Sequence, residues 1–263
     1  MNNNNIKLVV SYDGTRFFGW QKTETGPSIE EELEKALKRI LRHDVQLDAA
    51  SRTDRGVHAE GQPVRFFSSR EVDLHRLVRG LNAVLPVEIS VRSAQLMPLD
   101  FHPTIHALGK EYRYHLCLGS AQIPMHRFYS WHVPLKLDFE KMEEAVQLLL
   151  GKRDFSAFSN APVVRRNPAH EGGVLQKEKD PTCDLQKIEF FQKEGRLIIA
   201  LRADRFLYKM VRNLVGALVY AGCGKLDVGA IPSLLESRDR SKGAVTAPAR
   251  GLFLSEVFYD FSK

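Results

Sequence analysis

The chain has 263 residues, 43% of them hydrophobic and 27% charged, which is an ordinary globular composition that can bury a substantial core without disulfide bonds. Thirty-eight basic residues outnumber 32 acidic ones, and this net charge of +6 suits a polyanionic partner without requiring one. The three cysteines are widely spaced, which excludes a disulfide framework and a cysteine metal site. The N-terminus (MNNNNIK) has no apolar signal core, and the apolar runs are too short for a membrane-spanning helix. We therefore expect a cytoplasmic protein.

The first hundred residues predict the order strand, helix, strand, strand, helix, strand. IKLVVSY alternates apolar and polar residues as a half-buried strand does. Ser28 followed by Glu31 is a capping box, and apolar residues then recur at helical spacing. Asp73 is the expected cap of the second helix. The strands are predicted over 6–12, 45–49, 64–67 and 87–96.

The second half repeats this pattern. KEYRYHLCL alternates strictly, and the segment around Glu194 and Gly195 reads as the turn of a hairpin. Glycine follows two of the amphipathic segments, as is common after a helix. The sequence predicts strands over 110–118 and 251–259, a hairpin over 185–203, and helices over 138–150, 205–221 and 228–237.

Two segments of similar order predict an α+β fold with two halves, 1–104 and 105–263. Each half is expected to be an antiparallel sheet with helices packed on one side, and the halves flank a central cleft. A polar, aperiodic stretch near 160–184 reads as a mobile surface insertion in the second half.

Several chemistries lack a motif. The chain contains no GxGxxG, Walker A or GxSxG sequence, and AGCGK at 221–225 follows a helix instead of opening one. His102 and His106 are four residues apart, but Pro103 between them argues against a metal-binding helix. We therefore expect neither a metal nor a cofactor.

The stretch AASRTDRGVHAEGQ (49–62) places one carboxylate, Asp54, between Arg52 and Arg55. One interpretation is a surface turn with local ion pairs, because Asp and Gly are turn residues. The other is a reactive site, since neighbouring cations keep a carboxylate ionised for work as a nucleophile or anionic base. The same arginines could bind the phosphates of a nucleic acid.

Two other segments bear on this choice. Tyr112 on its alternating strand is either a cross-strand aromatic or a ring for base stacking. Arg212 lies in a mostly apolar helical segment, where an arginine needs an anionic partner. Spacings of three, four and three predict a basic side of that helix, which is either solvated or binds RNA, formed by Arg202, Arg205, Lys209 and Arg212.

SRTDRGVHAEGQ resembles the GRTDAGVHAxGQ loop of the tRNA pseudouridine synthase A family. Further motifs of that family follow in order along most of the chain, which makes the resemblance specific. They are VSYDGTRFFGWQ (10–21), LNAVLP (81–86), DFHP (100–103), KEYRYHL (110–116), DFSAF (154–158), FLYKMVRNLVGAL (206–218) and TAPARGLFL (246–254).

The resemblance implies a role for each matched position. Asp54 would be the catalytic aspartate with Arg52 as its neighbour, Tyr112 the ring stacked on the target base, and Arg212 the cation paired with Asp54 across the cleft. It also implies two α+β halves flanking a basic cleft, a homodimer, tRNA as partner and no cofactor. Weaker candidates for RNA contacts are Arg55, His58, Arg205 and Lys209.

The function implied is isomerisation of uridine to pseudouridine at positions thirty-eight to forty of the tRNA anticodon stem-loop. Whether Asp54 attacks the sugar, attacks the base or abstracts a ribose proton is left open. The alternatives are an RNA-binding module without chemistry and a synthase acting on another RNA. Ser51 and Arg55 depart from the family's usual Gly and Ala, and 160–184 has no clear match.

Overall fold

The computed structural model describes residues 4–160 and 180–260. The helices in these ranges are Ile29–Leu41 (α1), Leu74–Val84 (α2), Phe139–Leu149 (α3), Met210–Gly222 (α4) and Ile231–Ser237 (α5). The strands are Asn4–Tyr12 (β1), Asp48–Ala49 (β2), His58–Ser68 (β3), Ile89–Met97 (β4), Gly109–Leu118 (β5), Trp131–Val133 (β6), Gly151–Asp154 (β7), Thr182–Lys193 (β8), Arg196–Ala203 (β9) and Leu252–Phe258 (β10).

The described strands form one mixed sheet in the order β4-β1-β3-β10-β5-β9-β8-β7, with β2 beside β3 and β6 beside β5. Most neighbours are antiparallel, whereas β10 with β3 and β6 with β5 are parallel pairs. The α+β class is confirmed. The last strand of the chain lies between β3 and β5, so a single sheet runs through both predicted halves, and their division near residue 104 stays a prediction.

Alternation along the strands forms the core. Ile6, Leu8 and Val10 of β1 are fully buried and belong to the same apolar cluster as Leu33 and Leu37 of α1. This cluster also takes residues from the strands and helices of the second half. Burial of each such side chain stabilises the fold by about 1.5–3 kcal/mol. In the described part of the chain, no helix has the length and apolarity to cross a membrane.

The helix caps follow the sequence closely. Ser28 Oγ accepts a hydrogen bond from the Glu31 amide at 3.3 Å, and the side chain of Asp73 caps α2 in the same way. The second bond of the predicted capping box is replaced, because the Glu31 carboxylate pairs with Lys35 Nζ at 2.7 Å. Asp138 caps α3, and Gly151 follows it with φ +96°.

Several predicted boundaries are wrong. The strand at 45–49 is reduced to Asp48–Ala49, and β3 begins at His58, so the second part of the predicted loop is a strand that contains Pro63. Helix α4 begins at Met210 instead of 205, because Lys209 has a left-handed backbone with φ 59°. The insertion predicted near 160–184 falls largely on residues 161–179, outside the described residues, and β8 already begins at Thr182.

Candidate active site

The loop that carries Asp54 is fixed on both sides of this residue. Before it, the Gln62 side chain bonds the Ser51 amide and carbonyl, and the Thr53 hydroxyl lies 2.7 Å from the hydroxyl of Tyr12. After it, the Val57 amide donates to the Asp54 carbonyl at 3.1 Å. The loop is therefore a rigid support for the carboxylate.

A second segment, the DGTRFFG turn after β1, packs against this loop through its glycines. Gly19 has φ +103°, and a Cβ there would lie 2.7 Å from the carbonyl oxygen of Thr53. A Cβ at Gly14 would overlap the carbonyl of Val57. Because only glycine permits this backbone contact, the turn residues serve to hold the loop of Asp54 in place.

Asp54 contacts Arg212, which is 158 residues away in sequence. Arg212 Nη1 donates to Asp54 Oδ2 at 3.1 Å, with side-chain exposures of 14% for the arginine and 21% for the aspartate. Arg212 Nε donates to the carbonyl of Ala247 at 2.7 Å. The pair expected from the resemblance is thus in contact, where the loop, α4 and the segment before β10 meet.

Tyr112 on β5 lies beside this pair and is 8% exposed. Burial raises the pKa of its hydroxyl to about 12. A hydrogen bond with Ser51 lowers this pKa, and the charge of Asp54 raises it. The Tyr112 ring meets the Phe206 ring edge-on, with centroids 5.3 Å apart. The phenol is therefore neutral at physiological pH and belongs to an aromatic pair next to the carboxylate.

The two loop arginines point to solvent. Arg52 is exposed, and none of the ion pairs of the described residues includes it. The exposed Arg55 guanidinium lies 4.0 Å from the centroid of the Phe18 ring, in a cation–π contact. Both charges are available to an anionic ligand, and the ion pair that Asp54 makes among the described residues is with Arg212.

The basic side predicted for the long helix is wrong. Arg202 is on β9, Arg205 and Lys209 precede α4, and only Arg212 is helical. Arg205 bonds the carbonyl of Thr182 at 2.8 Å and that of Asp180, so it braces the start of β8.

Lys209 Nζ lies 4.9 Å from the ring of Tyr208, which is half exposed.

His58 is enclosed, with 1% exposure. Its Nδ1 lies 3.1 Å from the Gly14 amide nitrogen and 3.2 Å from Asp13 Oδ1, and its Nε2 lies 3.2 Å from the Phe128 carbonyl oxygen. Burial lowers its pKa, which agrees with a neutral ring. A direct RNA contact by His58 is contradicted by this burial, and the ring instead supports the DGT turn.

The chain matches known proteins over nearly its whole length. A family profile described as tRNA pseudouridine synthase matches residues 8–104 and 145–260. The chain belongs to this family. The protein named tRNA pseudouridine synthase A 2 of Protochlamydia amoebophila is 45% identical over 260 residues, which cover 97% of this chain and 94% of that protein. That named tRNA pseudouridine synthase A of Acetivibrio thermocellus is 37% identical, covering 97% and 99%.

Membership makes this tRNA pseudouridine synthase an isomerase. Asp54 and Arg212 each lie inside a range that the family profile matches. Tyr112 lies in the stretch between the two matched ranges. No group of three or more histidines, cysteines or acidic residues in the described chain is arranged to hold a metal ion.

Sequence reasoning missed several residues of the synthase around this pair. Lys110 Nζ donates to the Ala50 carbonyl at 2.6 Å, and burial lowers the pKa of its amine to about 8. Asn213 is 2% exposed beside Arg212. An amide inside the apolar run MVRNLVGAL was the available signal, since a buried amide needs hydrogen-bond partners.

Proposed function

We propose that this synthase converts uridine to pseudouridine at positions thirty-eight to forty of the tRNA anticodon stem-loop. The observation that carries the proposal is the contact between Asp54 and Arg212 beside Tyr112, in a chain whose relatives are named tRNA pseudouridine synthase A. The exposed arginines of the loop, together with a net charge of +6, favour an RNA partner.

The reaction breaks the bond between N1 of uracil and C1′ of ribose, rotates the base and joins C5 to C1′. The C5 proton is released and N1 gains one, so no electrons are exchanged. We assign Asp54 as the catalytic residue. Arg212 binds its Oδ2, and none of the hydrogen bonds of the described residues reaches Oδ1, which leaves this oxygen for the substrate. An ionised carboxylate in this position acts as nucleophile or base.

Tyr112 is assigned to the target base. A base inside an RNA stem must leave its stack to reach Asp54, at a cost of a few kcal/mol. Stacking on an aromatic ring returns about 1–3 kcal/mol. Because Tyr112 is only 8% exposed, stacking of a base on its face requires the side chains that cover the ring to move aside.

Phosphate contacts are assigned to the cations around the site. Arg52 and Arg55 are exposed on the loop, and Lys209 lies at the start of α4 beside an exposed tyrosine ring. Each would release counterions on binding RNA. Arg205 is a weaker candidate because it is bonded to the carbonyls of 180 and 182.

We further propose that the enzyme is a cytoplasmic homodimer. The family resemblance supports the dimer, and three free cysteines are compatible with a reducing compartment. Light scattering on the purified chain should give the mass of two copies. A single-copy mass at micromolar concentration would contradict the dimer and leave the chemistry unaffected.

The test of the chemistry is the isosteric change Asp54→Asn. We expect tritium release from 5-tritiated uridine in tRNA to fall to background while tRNA binding persists. The control Asp44→Asn removes an exposed carboxylate that pairs with Lys38 and should release tritium like the wild type. Full release by Asp54→Asn would contradict catalysis by this loop, and a wild type that binds tRNA without releasing tritium would indicate a binding module.

The substrate is tested by mapping pseudouridine in RNA from a strain that lacks the gene. We expect the modification to disappear from positions thirty-eight to forty of several tRNAs and to return when the gene is restored. Loss from another RNA, with these tRNA positions intact, would keep the chemistry and replace the substrate.

A further inference from the structure

Three segments of the second half meet at the buried side chain of Asn213 on α4. Its Oδ1 accepts hydrogen bonds from Thr246 Oγ1 at 2.7 Å and Arg240 Nη2 at 2.9 Å. Its Nδ2 donates to the Phe158 carbonyl at 2.6 Å and to Asn160 Oδ1 at 2.8 Å. Both donors and both acceptor sites of the amide are therefore in use.

This network continues to Arg212. Thr246 precedes Ala247, whose carbonyl accepts from Arg212 Nε at 2.7 Å and whose amide donates to the Arg212 carbonyl at 3.1 Å. Arg240 Nη2 also bonds the Ala244 carbonyl and Thr246 Oγ1, each at 2.9 Å. Residues 244–247 are thus tied to α4 by the Thr246 hydroxyl and by both backbone polar groups of Ala247, and to Arg240 by two further bonds.

The Ala247 carbonyl determines the orientation of the guanidinium. A guanidinium is planar, so a bond at Nε and a bond at Nη1 together fix its plane and its rotation. Arg212 uses Nε for Ala247 and Nη1 for Asp54. A shift of residues 244–247 would therefore turn the guanidinium relative to Asp54 Oδ2.

Packing alone does not account for these polar groups. Asn213 lies among the buried residues Val211, Leu214 and Val215, where an apolar side chain would avoid desolvation of an amide. Burial lowers the pKa of the Arg240 guanidinium, and its buried Nε has no hydrogen-bond partner among the described residues. Arg240 is half-buried, and a partly desolvated cation with an unbonded N–H costs stability that an apolar side chain would avoid.

We propose that Asn213, Arg240 and Thr246 are positioning residues that aim the Arg212 guanidinium at Asp54 through the Ala247 carbonyl. The inference rests on the proposed function, since it takes Asp54 as the reacting carboxylate. It assigns to three residues outside the reacting pair a role in turnover, not in RNA affinity.

The test compares Thr246→Val, which removes the hydroxyl at nearly constant volume, with Thr246→Ser, which keeps it. For Thr246→Val we expect the single-turnover rate on 5-tritiated tRNA to fall about tenfold or more with tRNA affinity within about twofold, because the reacting geometry changes while the RNA surface does not. Thr246→Ser should restore the rate, because it keeps the hydroxyl that bonds Asn213 and Arg240.

Each outcome decides the inference. A folded Thr246→Val enzyme with the wild-type rate overturns it, and so do an equal loss of rate and affinity and a failure of Thr246→Ser to restore the rate. A lower melting temperature with an unchanged rate per folded molecule would make the network merely structural. If Thr246→Val does not fold, Arg240→Lys makes the same comparison, because it keeps a cation without the planar fork. A wild type that releases no tritium overturns the proposed function and this inference together.

Discussion

Arg212 belongs to a pair of opposite charges that is mostly removed from water. Its guanidinium is 14% exposed and lies 3.1 Å from an Asp54 carboxylate that is 21% exposed. Removing one partner of such a pair leaves an uncompensated charge in a poorly solvated place. Arg212 is therefore expected to affect the reacting geometry directly, in contrast to the exposed cations of the loop.

Replacing Arg212 with Met should lower turnover far more than tRNA affinity. We expect a loss of about 10²–10³ in single-turnover rate, the size of effect seen when one charge-stabilising donor is removed from an active site. The matched change Arg55→Met removes an exposed cation, so it should weaken binding and reduce the salt dependence by about one counterion, with little change in rate at saturation. Equal losses of rate and affinity in Arg212→Met would make it a phosphate contact.

A second buried group, His115 on β5, links stability to pH. It is 7% exposed, its Nδ1 accepts from Arg196 Nη1 at 3.1 Å, and its ring stacks on Phe253 with centroids 4.4 Å apart. Burial, reinforced by the charge of Arg196, lowers the pKa of this imidazole to about 3. The ring is therefore neutral in the folded protein far below the pH at which it is protonated in the unfolded chain.

Unfolding free energy should consequently fall as the pH falls from about 6.5 towards 3, because the unfolded chain binds the His115 proton in that window and the folded protein does not. The contribution is at most about 1.4 kcal/mol per pH unit. Urea unfolding at several pH values between 7 and 4.5 should show that the unfolding free energy of His115→Gln depends less steeply on pH than that of the wild type. Parallel curves for the two proteins would contradict the prediction.

The helices and strands that the sequence predicts correctly are those whose pattern depends on neighbouring residues. The caps at Ser28, Asp73 and Asp138 and the alternation of β5 depend on neighbouring residues, and the predicted elements are present. The start of α4 was wrong because a left-handed residue, Lys209, interrupts a pattern of spacing that fits a helix. Spacing alone does not report backbone handedness.

Contacts between residues far apart in the sequence cannot be predicted from such local patterns. The place of β10 between β3 and β5 depends on pairing between residues nearly two hundred positions apart, such as His58 with Phe253. The contact of Asp54 with Arg212 was expected through the resemblance alone. The network around Asn213 was missed because its partners Arg240 and Thr246 are 27 and 33 residues away.

Helix α4 packs against the segment that carries the Ala247 carbonyl through Gly216. A Cβ at this position would overlap the carbonyl of Val245. Gly216→Ala should therefore destabilise the fold by about 1–3 kcal/mol through overpacking, although alanine favours a helix by about 1 kcal/mol. Because Val245 is two residues from Ala247, the rate of tritium release should fall as well.

The matched control for Gly216→Ala is Gly80→Ala on α2. A Cβ there would lie 3.1 Å from Cδ1 of Ile40, the end of a flexible side chain that can move. We expect Gly80→Ala to leave the free energy of unfolding unchanged or to raise it by up to about 1 kcal/mol. Urea unfolding and single-turnover rates measure both variants. Similar effects of the two substitutions would contradict a specific contact at Gly216.

At the scale of the molecule, the two predicted halves share a sheet and a core. Strand β10 belongs to the second half by sequence but pairs with β3 of the first half and β5 of the second. The buried apolar residues of both halves form one cluster. Separation of the halves would therefore expose strand edges and apolar surface on both sides, which opposes independent folding.

We expect the chain to unfold in one cooperative transition, and its two tryptophans allow each half to be followed. Trp20 is buried in the first half near Tyr12, and Trp131 lies edge-on to Tyr114 in the second. Trp131→Phe leaves a reporter of the first half, and Trp20→Phe leaves one of the second. Within each variant, the urea midpoint from fluorescence should coincide with that from far-ultraviolet circular dichroism, because loss of either half removes a neighbour of β10. A fluorescence transition that precedes the circular dichroism transition in either variant would instead establish 1–104 and 105–263 as units that fold separately.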